Sequence, residues 1–200
     1  MKKSDIKLVE NAKKRPEEYE ELYKKYSTDV FNFIWYRVGH DKELAEDLMQ
    51  EVFVRAFAKL KKFQNRGYSY RTYLLTIAKN VLVNYFKKKK PILGLDEYQD
   101  IPIEITQDQE SNKKIEAGNL WRAVQDLSHT ERDVILMHYK NEMPTKDIGR
   151  VIGKSTNAIK IILSRSRKKL KENPRINDIL NYSNTSHYYT NPKFLKKNKK

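Results

Sequence analysis

Residues 45–60 read AEDLMQEVFVRAFAKL, and this stretch decides the fold class. Apolar side chains recur there every three or four positions for about four turns, which is the pattern of a helix with one buried face. Residues 22–34 and 73–85 show the same spacing, and the 200 residues of the chain include only 6 glycines and 6 prolines. The sequence therefore predicts an all-α fold.

The composition indicates what the chain binds. Lysine and arginine outnumber aspartate and glutamate by 41 to 26, which gives a formal net charge of +15. So basic a chain usually binds a polyanion. The absence of cysteine excludes disulfides, cysteine-based zinc sites and cysteine nucleophiles. The histidines do not pair at metal-ligand spacing, so we expect no metal and no cofactor; they are His40, His129, His138 and His187.

The sequence contains no apolar run long enough for a signal peptide or a membrane span. We therefore expect a cytoplasmic protein without direct membrane insertion. Changes in composition predict an N-terminal arm (1–16), a helical domain (17–90), a linker (91–115), a second helical domain (116–172) and a basic, disordered tail (173–200). The linker holds six acidic residues and two lysines, whereas residues 1–90 hold 21 basic and 12 acidic side chains. We therefore predict two small helical domains joined by a flexible acidic linker.

Capping residues mark where helices begin and end. Asp41 is a predicted N-cap for the helix that follows it, and Ser128 with Glu131 forms a predicted capping box. Pro91 disfavours a helical conformation at the residue before it. The last helix of the first domain is therefore expected to end at Lys90.

Two short predicted helices in the second domain, residues 145–152 and 156–170, are separated by Gly153 and fit a helix-turn-helix. Its apolar contacts are expected from Ile148, Val151, Ile159 and Leu163. The outer face of its second helix carries Ser155, Asn157, Lys160, Ser164, Arg165 and Lys168. Such side chains can reach base edges in the major groove. Phosphate contacts are expected from Arg167, Lys168, Lys169 and Lys171. The alternative is an amphipathic helix with a solvated basic face.

An acidic stripe lies within the stretch quoted first. Asp47 and Glu51 are four residues apart, so they share a helix face, with Gln50 beside them. In a basic protein this stripe could bind arginines of a partner helix. Ordinary surface charge is the second interpretation. A catalytic carboxylate pair is the third, but no nucleophile or metal site surrounds it, so we expect no catalytic residue.

Residues 66–73 interleave aromatic and basic side chains, which suits single-stranded nucleic acid, since bases stack on rings and cations follow the backbone. The candidate contacts are Arg66, Tyr68, Tyr70, Lys79, Asn80 and Asn84. Tyr73 and Tyr85 fall on the apolar helix face and are predicted to be core residues. Tyr68 and Tyr70 lie in the break between helices and are the predicted base contacts.

These motifs together resemble the extracytoplasmic-function (ECF) class of the sigma-70 family. The resemblance rests on residues 45–53, 62–63, 71–74 and 77–80 in the first domain, and on residues 120–127, 147–149 and 163–170 in the second. Their order and spacing are more specific than any single motif. The resemblance identifies residues 17–90 as region 2 and residues 116–172 as region 4, and it implies a sigma factor rather than an enzyme.

The resemblance also implies partners. The helix at 44–62 would dock on the clamp coiled coil of the RNA polymerase β′ subunit through Asp47, Gln50 and Glu51. The loop at 64–71 would capture a base of the −10 element, and Asn80 and Asn84 would line the melted strand. Lys160, Ser164 and Arg165 would read −35 duplex. The linker would pass through the polymerase cleft where nascent RNA runs; the alternative is a linker that is only disordered. The β subunit of the polymerase is a further expected partner. An anti-sigma factor is a further possible partner.

Four positions depart from the family pattern. The family usually has Trp at Tyr73, Ala at Gly149, and Ser and Arg at Ile161 and Ile162. Glycine in place of alanine loosens a helix by up to about 1 kcal/mol. The two isoleucines change the −35 reader, so the promoter sequence does not follow from the resemblance. The rival interpretations are a stand-alone helix-turn-helix regulator and an RNA-binding or RNA-processing protein.

Overall fold

The computed structural model describes residues 3–64, 67–93 and 112–176. Within these ranges the secondary structure is helical and contains no strand, which confirms the predicted all-α class. The chain separates into an N-terminal and a C-terminal unit. No helix in the described ranges is both long and apolar enough to cross a bilayer. Most of the predicted linker and most of the predicted tail, including their acidic and basic runs, lie outside the described residues.

The described residues of the N-terminal unit, up to residue 93, form four α-helices. They are α1 (Lys3–Lys14), α2 (Tyr19–Trp35), α3 (Lys42–Ala58) and α4 (Tyr70–Leu93). Short 3-10 helices at Pro16–Glu18 and Leu60–Lys62 follow α1 and α3. Helices α2, α3 and α4 pack against one another. Their apolar faces meet in a core that includes Leu22, Phe33, Val52, Leu74 and Leu75.

The start of α3 is determined by local chemistry. Asp41 accepts a hydrogen bond from the backbone N–H of Leu44 at 3.0 Å, which confirms the predicted N-cap. Gly39 and His40 both have positive φ, 78° and 63°, and reverse the chain direction just before the cap. This turn allows α3 to fold back on α2.

Helix α1 lies within the segment predicted as an N-terminal arm. Val9 and Ala12 of this helix are buried, and the helix packs on α2. The buried carboxylate of Asp5 is 2.5 Å from the Nζ of Lys25 in α2. These contacts make α1 part of the N-terminal unit.

Helix α4 continues beyond the predicted end at Lys90. It runs through Pro91 to Leu93, so the boundary expected from that proline was wrong. A proline within a helix lacks its own N–H donor and crowds the carbonyl four residues earlier, but only two residues of α4 follow Pro91, so little helix beyond it has to accommodate a kink. The cost is therefore small compared with that of a proline in the middle of a helix.

The described residues 112–176 also contain four long helices. They are α5 (Asn112–Gln125), α6 (His129–Tyr139), α7 (Thr145–Ile152) and α8 (Thr156–Glu172). The predicted capping box is present at the start of α6, where the backbone N–H of Ser128 donates to Oε2 of Glu131 at 3.1 Å. Helices α6 and α8 pack together. The four apolar residues expected in the helix-turn-helix, Ile148, Val151, Ile159 and Leu163, are all buried.

The first residues of the predicted disordered tail are ordered. Ile176 is buried, and Arg175 pairs with the carboxylate of Asp126. Asn173 donates to the same carboxylate at 3.1 Å. The prediction was wrong for residues 173–176, since Ile176 is buried and two polar contacts join Asn173 and Arg175 to Asp126, the residue after α5.

Candidate nucleic-acid and partner interfaces

The acidic stripe lies on the outer face of α3. Asp47, Gln50 and Glu51 are all exposed, because the other face of the helix is buried against α2 and α4. Glu51 forms an ion pair with Arg55, one turn further along the helix. The structure therefore brings the three predicted partner-binding residues together on one solvent-facing surface.

Two apolar residues extend this surface and were missed as contacts. Val54 is 68% exposed and lies seven residues after Asp47, on the same face. Phe57 is 44% exposed, although it belongs to the apolar repeat of residues 45–60 that predicts a buried face, and its ring lies 4.9 Å from that of Tyr19. The sequence offered one indication of these contacts: the apolar Val54 interrupts an otherwise polar helix face. We call Asp47, Gln50, Glu51, Val54 and Phe57 the α3 surface.

Tyr70 is not available for base stacking. It is fully buried, and its ring lies 5.1 Å from Phe63 and 6.0 Å from Tyr26. Burial raises the pKa of Tyr70 above its usual value. The assignment of Tyr70 as a DNA contact is therefore corrected: as the first residue of α4, it points into the junction of α2 and α4.

Two other tyrosines remain accessible near the start of α4. Tyr68 and Tyr73 are both half-buried, and both rings pack on Phe63, with centroid distances of 6.4 Å and 4.8 Å. Tyr73 had been predicted as core, but part of its ring faces solvent. Burial, with a smaller contribution from Tyr68, raises the pKa of Tyr73. Arg66, the remaining candidate of this loop, lies outside the described residues.

The start of α4 is anchored to α2. Arg71 donates to Oδ1 of Asp29 at 2.5 Å. Ser69 caps the helix, since its hydroxyl accepts from the backbone N–H of Thr72 at 3.1 Å. These contacts hold the two accessible tyrosines in a defined position.

The outer face of α4 carries the remaining candidates of the first domain. Asn80 and Asn84 are exposed and lie one turn apart, and Lys79 is half-buried. Lys87 and Lys88 continue the same exposed face toward the end of the helix. The face combines amide groups with a cationic end, which suits a nucleic-acid strand.

The outer face of α8 brings together the candidates of the second domain. The side chains of Asn157, Lys160, Ser164, Arg165 and Lys168 are all exposed. Ser155 is also exposed, but its hydroxyl accepts from the backbone N–H of Ala158 at 3.2 Å and caps the helix. Ile161 is 52% exposed on the same face, and Ile162 is partly buried.

Two of the four residues expected to bind phosphates contact α6 instead. Arg167 donates to the hydroxyl of Tyr139 at 2.7 Å, and Lys169 lies 2.8 Å from Glu131. Burial alone would raise the pKa of Glu131, but Lys169 and the hydrogen bonds from Ser128 outweigh it and hold that pKa below its usual value. Arg167 and Lys169 thus contact α6 in this structure, although the side chain of Lys169 is 59% exposed, and their phosphate contacts stay a prediction. Lys168 and Lys171 are exposed.

No group of histidine, aspartate and glutamate side chains in the described ranges is arranged to hold a metal ion. The described interfaces are helix surfaces built from polar, basic and apolar side chains. Such surfaces suit macromolecular partners.

Comparison with known proteins assigns both domains. The model of Sigma-70 region 2 matches residues 22–92, and the model of Sigma-70, region 4 matches residues 117–170. The ECF RNA polymerase sigma factor BldN of Streptomyces coelicolor is 29% identical over 174 residues, which cover 82% of this chain and 64% of BldN. The RNA polymerase sigma factor YlaC of Bacillus subtilis is 26% identical over 165 residues, which cover 80% of this chain and 94% of YlaC.

A solved structure shares the fold. It contains the sigma factor RpoE in complex with the anti-sigma factor NepR, from Bartonella quintana, and matches with a TM-score of 0.61 and 23% identity. The match covers 77% of this chain and 94% of that chain. Because regions 2 and 4 follow one another here as separate helical domains, and because the relatives are sigma factors of this type, the chain belongs to the sigma-70 family, in its ECF class.

Proposed function

We propose that this chain is a transcription initiation factor that binds core RNA polymerase and directs it to promoter DNA, without being a catalyst itself. The observation that carries the proposal is the pair of region 2 and region 4 domains, each with an exposed interface of its own. We place its action in the cytoplasm, where bacterial RNA polymerase works.

The α3 surface is proposed to dock on the clamp coiled coil of the polymerase β′ subunit. Asp47, Gln50 and Glu51 supply acceptors for basic side chains of the partner. Val54 and Phe57 supply apolar area next to them, and burying such area stabilises a protein interface. The combination of acidic and apolar side chains suits a helical partner with arginines beside apolar residues.

The −10 strand is proposed to bind along the start and outer face of α4. Tyr68 and Tyr73 offer rings for stacking, and Arg66 remains a candidate from the sequence of the preceding loop. Lys79, Asn80 and Asn84 would contact the strand as it continues along the helix. Stacking contributes about 1–3 kcal/mol per base, which offsets the unstacking of melted DNA.

The −35 duplex is proposed to bind the outer face of α8. Asn157, Lys160, Ser164 and Arg165 would contact base edges, while Lys168 would contact phosphate. Ser155 acts there as the cap that orients the front of the helix. The acidic linker is proposed to lie in the polymerase cleft, and the β subunit is a further proposed partner. An anti-sigma factor is a further proposed partner, because the structurally similar RpoE was solved bound to one.

In vitro transcription with start-site mapping tests the proposal. The purified chain is added to bacterial core polymerase on fragmented genomic DNA. We expect discrete new start sites that share upstream elements. Asp47→Lys should abolish them, because it places a cation in the acidic part of the α3 surface. The matched control is Glu17→Lys, which makes the same charge change at an exposed residue outside α3 and should retain them.

The opposite result would favour a different class of protein. If competent core polymerase gives no specific starts while the chain alone binds duplex DNA tightly, the chain is a stand-alone regulator. If it instead binds RNA after the outer face of α8 has been neutralised, it is an RNA-binding protein.

A further inference from the structure

Ile161 is a large apolar side chain on a face that is otherwise polar and basic. It is 52% exposed, and its neighbours one turn away are Asn157 and Arg165. The core of the C-terminal unit takes other residues of the same helix, since Ile159, Leu163 and Leu170 are buried. Ile161 therefore stands apart from the hydrophobic core, and its packing does not account for an isoleucine at this position.

The position of Ile161 along α8 places it where a recognition helix reads bases. It is the sixth residue of the helix, which begins at Thr156 and is capped by Ser155. In helix-turn-helix proteins the N-terminal residues of the second helix contact base edges in the major groove. Lys160 and Ser164 are exposed beside it, so hydrogen-bonding and charged groups flank the isoleucine on the same surface.

The chemistry of isoleucine indicates which group in the major groove of DNA it can contact. Its side chain has no hydrogen-bond donor or acceptor, so it cannot read the polar groups of a base pair. The apolar group that a base pair presents in the major groove is the C5-methyl of thymine. Contact between that methyl and Ile161 removes apolar surface of both from water.

We propose that Ile161 is a specificity-determining residue that packs against a thymine methyl in the upstream promoter element. The proposal rests on the function proposed above for α8. It makes the promoter preference of this chain depend on a methyl group at one position, in addition to the hydrogen bonds made by neighbouring residues.

Replacing thymine with uracil tests the proposal, because uracil lacks only the methyl group. Holoenzyme assembled from core polymerase and the full chain is bound to promoter fragments obtained from the mapped start sites. Each thymine of the upstream element is replaced in turn. We expect one position at which uracil weakens binding about fourfold, which is the effect of losing one buried methyl.

Three variants of the chain complete the test. Ile161→Ser should bind the thymine and uracil fragments about equally, and its thermal unfolding should match that of the unmodified chain because the side chain is exposed. Ile161→Val keeps a branched apolar side chain and should keep most of the preference. Ile6→Ser, at an isoleucine of α1 that is 40% exposed, is the matched control and should keep all of it.

Two outcomes would overturn the inference alone. In the first, specific complexes form but bind uracil and thymine equally at every upstream position. In the second, Ile161→Ser retains the preference for thymine. If no sequence-specific complex forms with any promoter fragment, the proposed function fails, and this inference fails with it.

Discussion

At the scale of single residues, Arg132 shows how one side chain can close a helix end. The last carbonyls of α5 have no partner within the helix. Buried Arg132 of α6 donates from Nε to the carbonyl of Val124 at 3.3 Å and from Nη2 to that of Leu127 at 3.2 Å, and also to that of Gln125. The guanidinium group of Arg132 therefore links the end of α5 to α6 by hydrogen bonds.

Replacing Arg132 with alanine should destabilise the C-terminal domain by about 3 kcal/mol, because the carbonyls of Gln125 and Leu127 would lose this donor and that of Val124 would keep only the N–H of Leu127. Arg132→Lys should recover only part of this loss, since an ammonium cannot reproduce the planar fork. Urea unfolding measures the effect. The chain has 2 tryptophans, so in a Trp35→Phe background the fluorescence of Trp121 reports on the C-terminal domain.

The control for this prediction is Arg122→Ala, which removes an exposed arginine of α5. It should shift the urea midpoint only slightly. An Arg132→Ala variant as stable as this control would show that water replaces the guanidinium at no cost.

At the scale of elements, the pairing of α7 and α8 depends on Gly149. A Cβ at this position would lie 2.6 Å from the carbonyl oxygen of Lys154, in the turn that joins the two helices. The backbone N–H of Lys154 donates to the carbonyl of Gly149 at 2.9 Å, so the turn closes directly over this residue. The glycine therefore permits a close approach of backbone to backbone, besides any loosening of α7.

Gly149→Val should destabilise the C-terminal domain by more than about 2 kcal/mol, because a backbone carbonyl would have to move. Gly149→Ala should cost less, since the better helix propensity of alanine offsets part of the strain. The same Trp121 fluorescence in urea measures both variants. Lys146→Val, at an exposed position of α7, is the matched control; equal losses for the two valine variants would contradict the prediction.

At the scale of the whole molecule, the net charge of +15 governs affinity for DNA, but individual cations contribute differently. Both lysines are exposed, but their partners differ: Lys168 lies 3.9 Å from Glu172 of its own helix, whereas the adjacent Lys169 lies 2.9 Å from Oε2 of Glu131 in α6. Adjacent lysines in the sequence therefore have different roles in the structure.

Lys168→Ala should reduce the slope of log affinity against log salt concentration by about one, because one phosphate contact is lost. The measurement is promoter binding by the holoenzyme over a series of salt concentrations. Lys169→Ala serves as the control and should leave the slope nearly unchanged. A larger change for Lys169 than for Lys168 would contradict the prediction, because the side of α8 that carries Lys169 would then contact the DNA.

The sequence by itself determined the helical fold, the caps at Asp41 and Ser128, and the helix-turn-helix. These features follow from interactions between residues within about one helical turn, or from the repeat of apolar positions along one helix. The same local repeat placed Asp47, Gln50 and Glu51 on one exposed face. Each of these predictions needed only the residue spacing.

The tertiary structure alone decided which tyrosine is buried, which lysine contacts α6 and that residues 173–176 pack on the domain. Tyr70 is buried because its ring packs against those of Phe63 and Tyr26. Lys169 donates to Glu131, which is 38 residues away in the sequence. Ile176 is buried beyond the last long helix. A local pattern cannot predict such contacts, because they join segments far apart in the sequence and depend on how the helices pack.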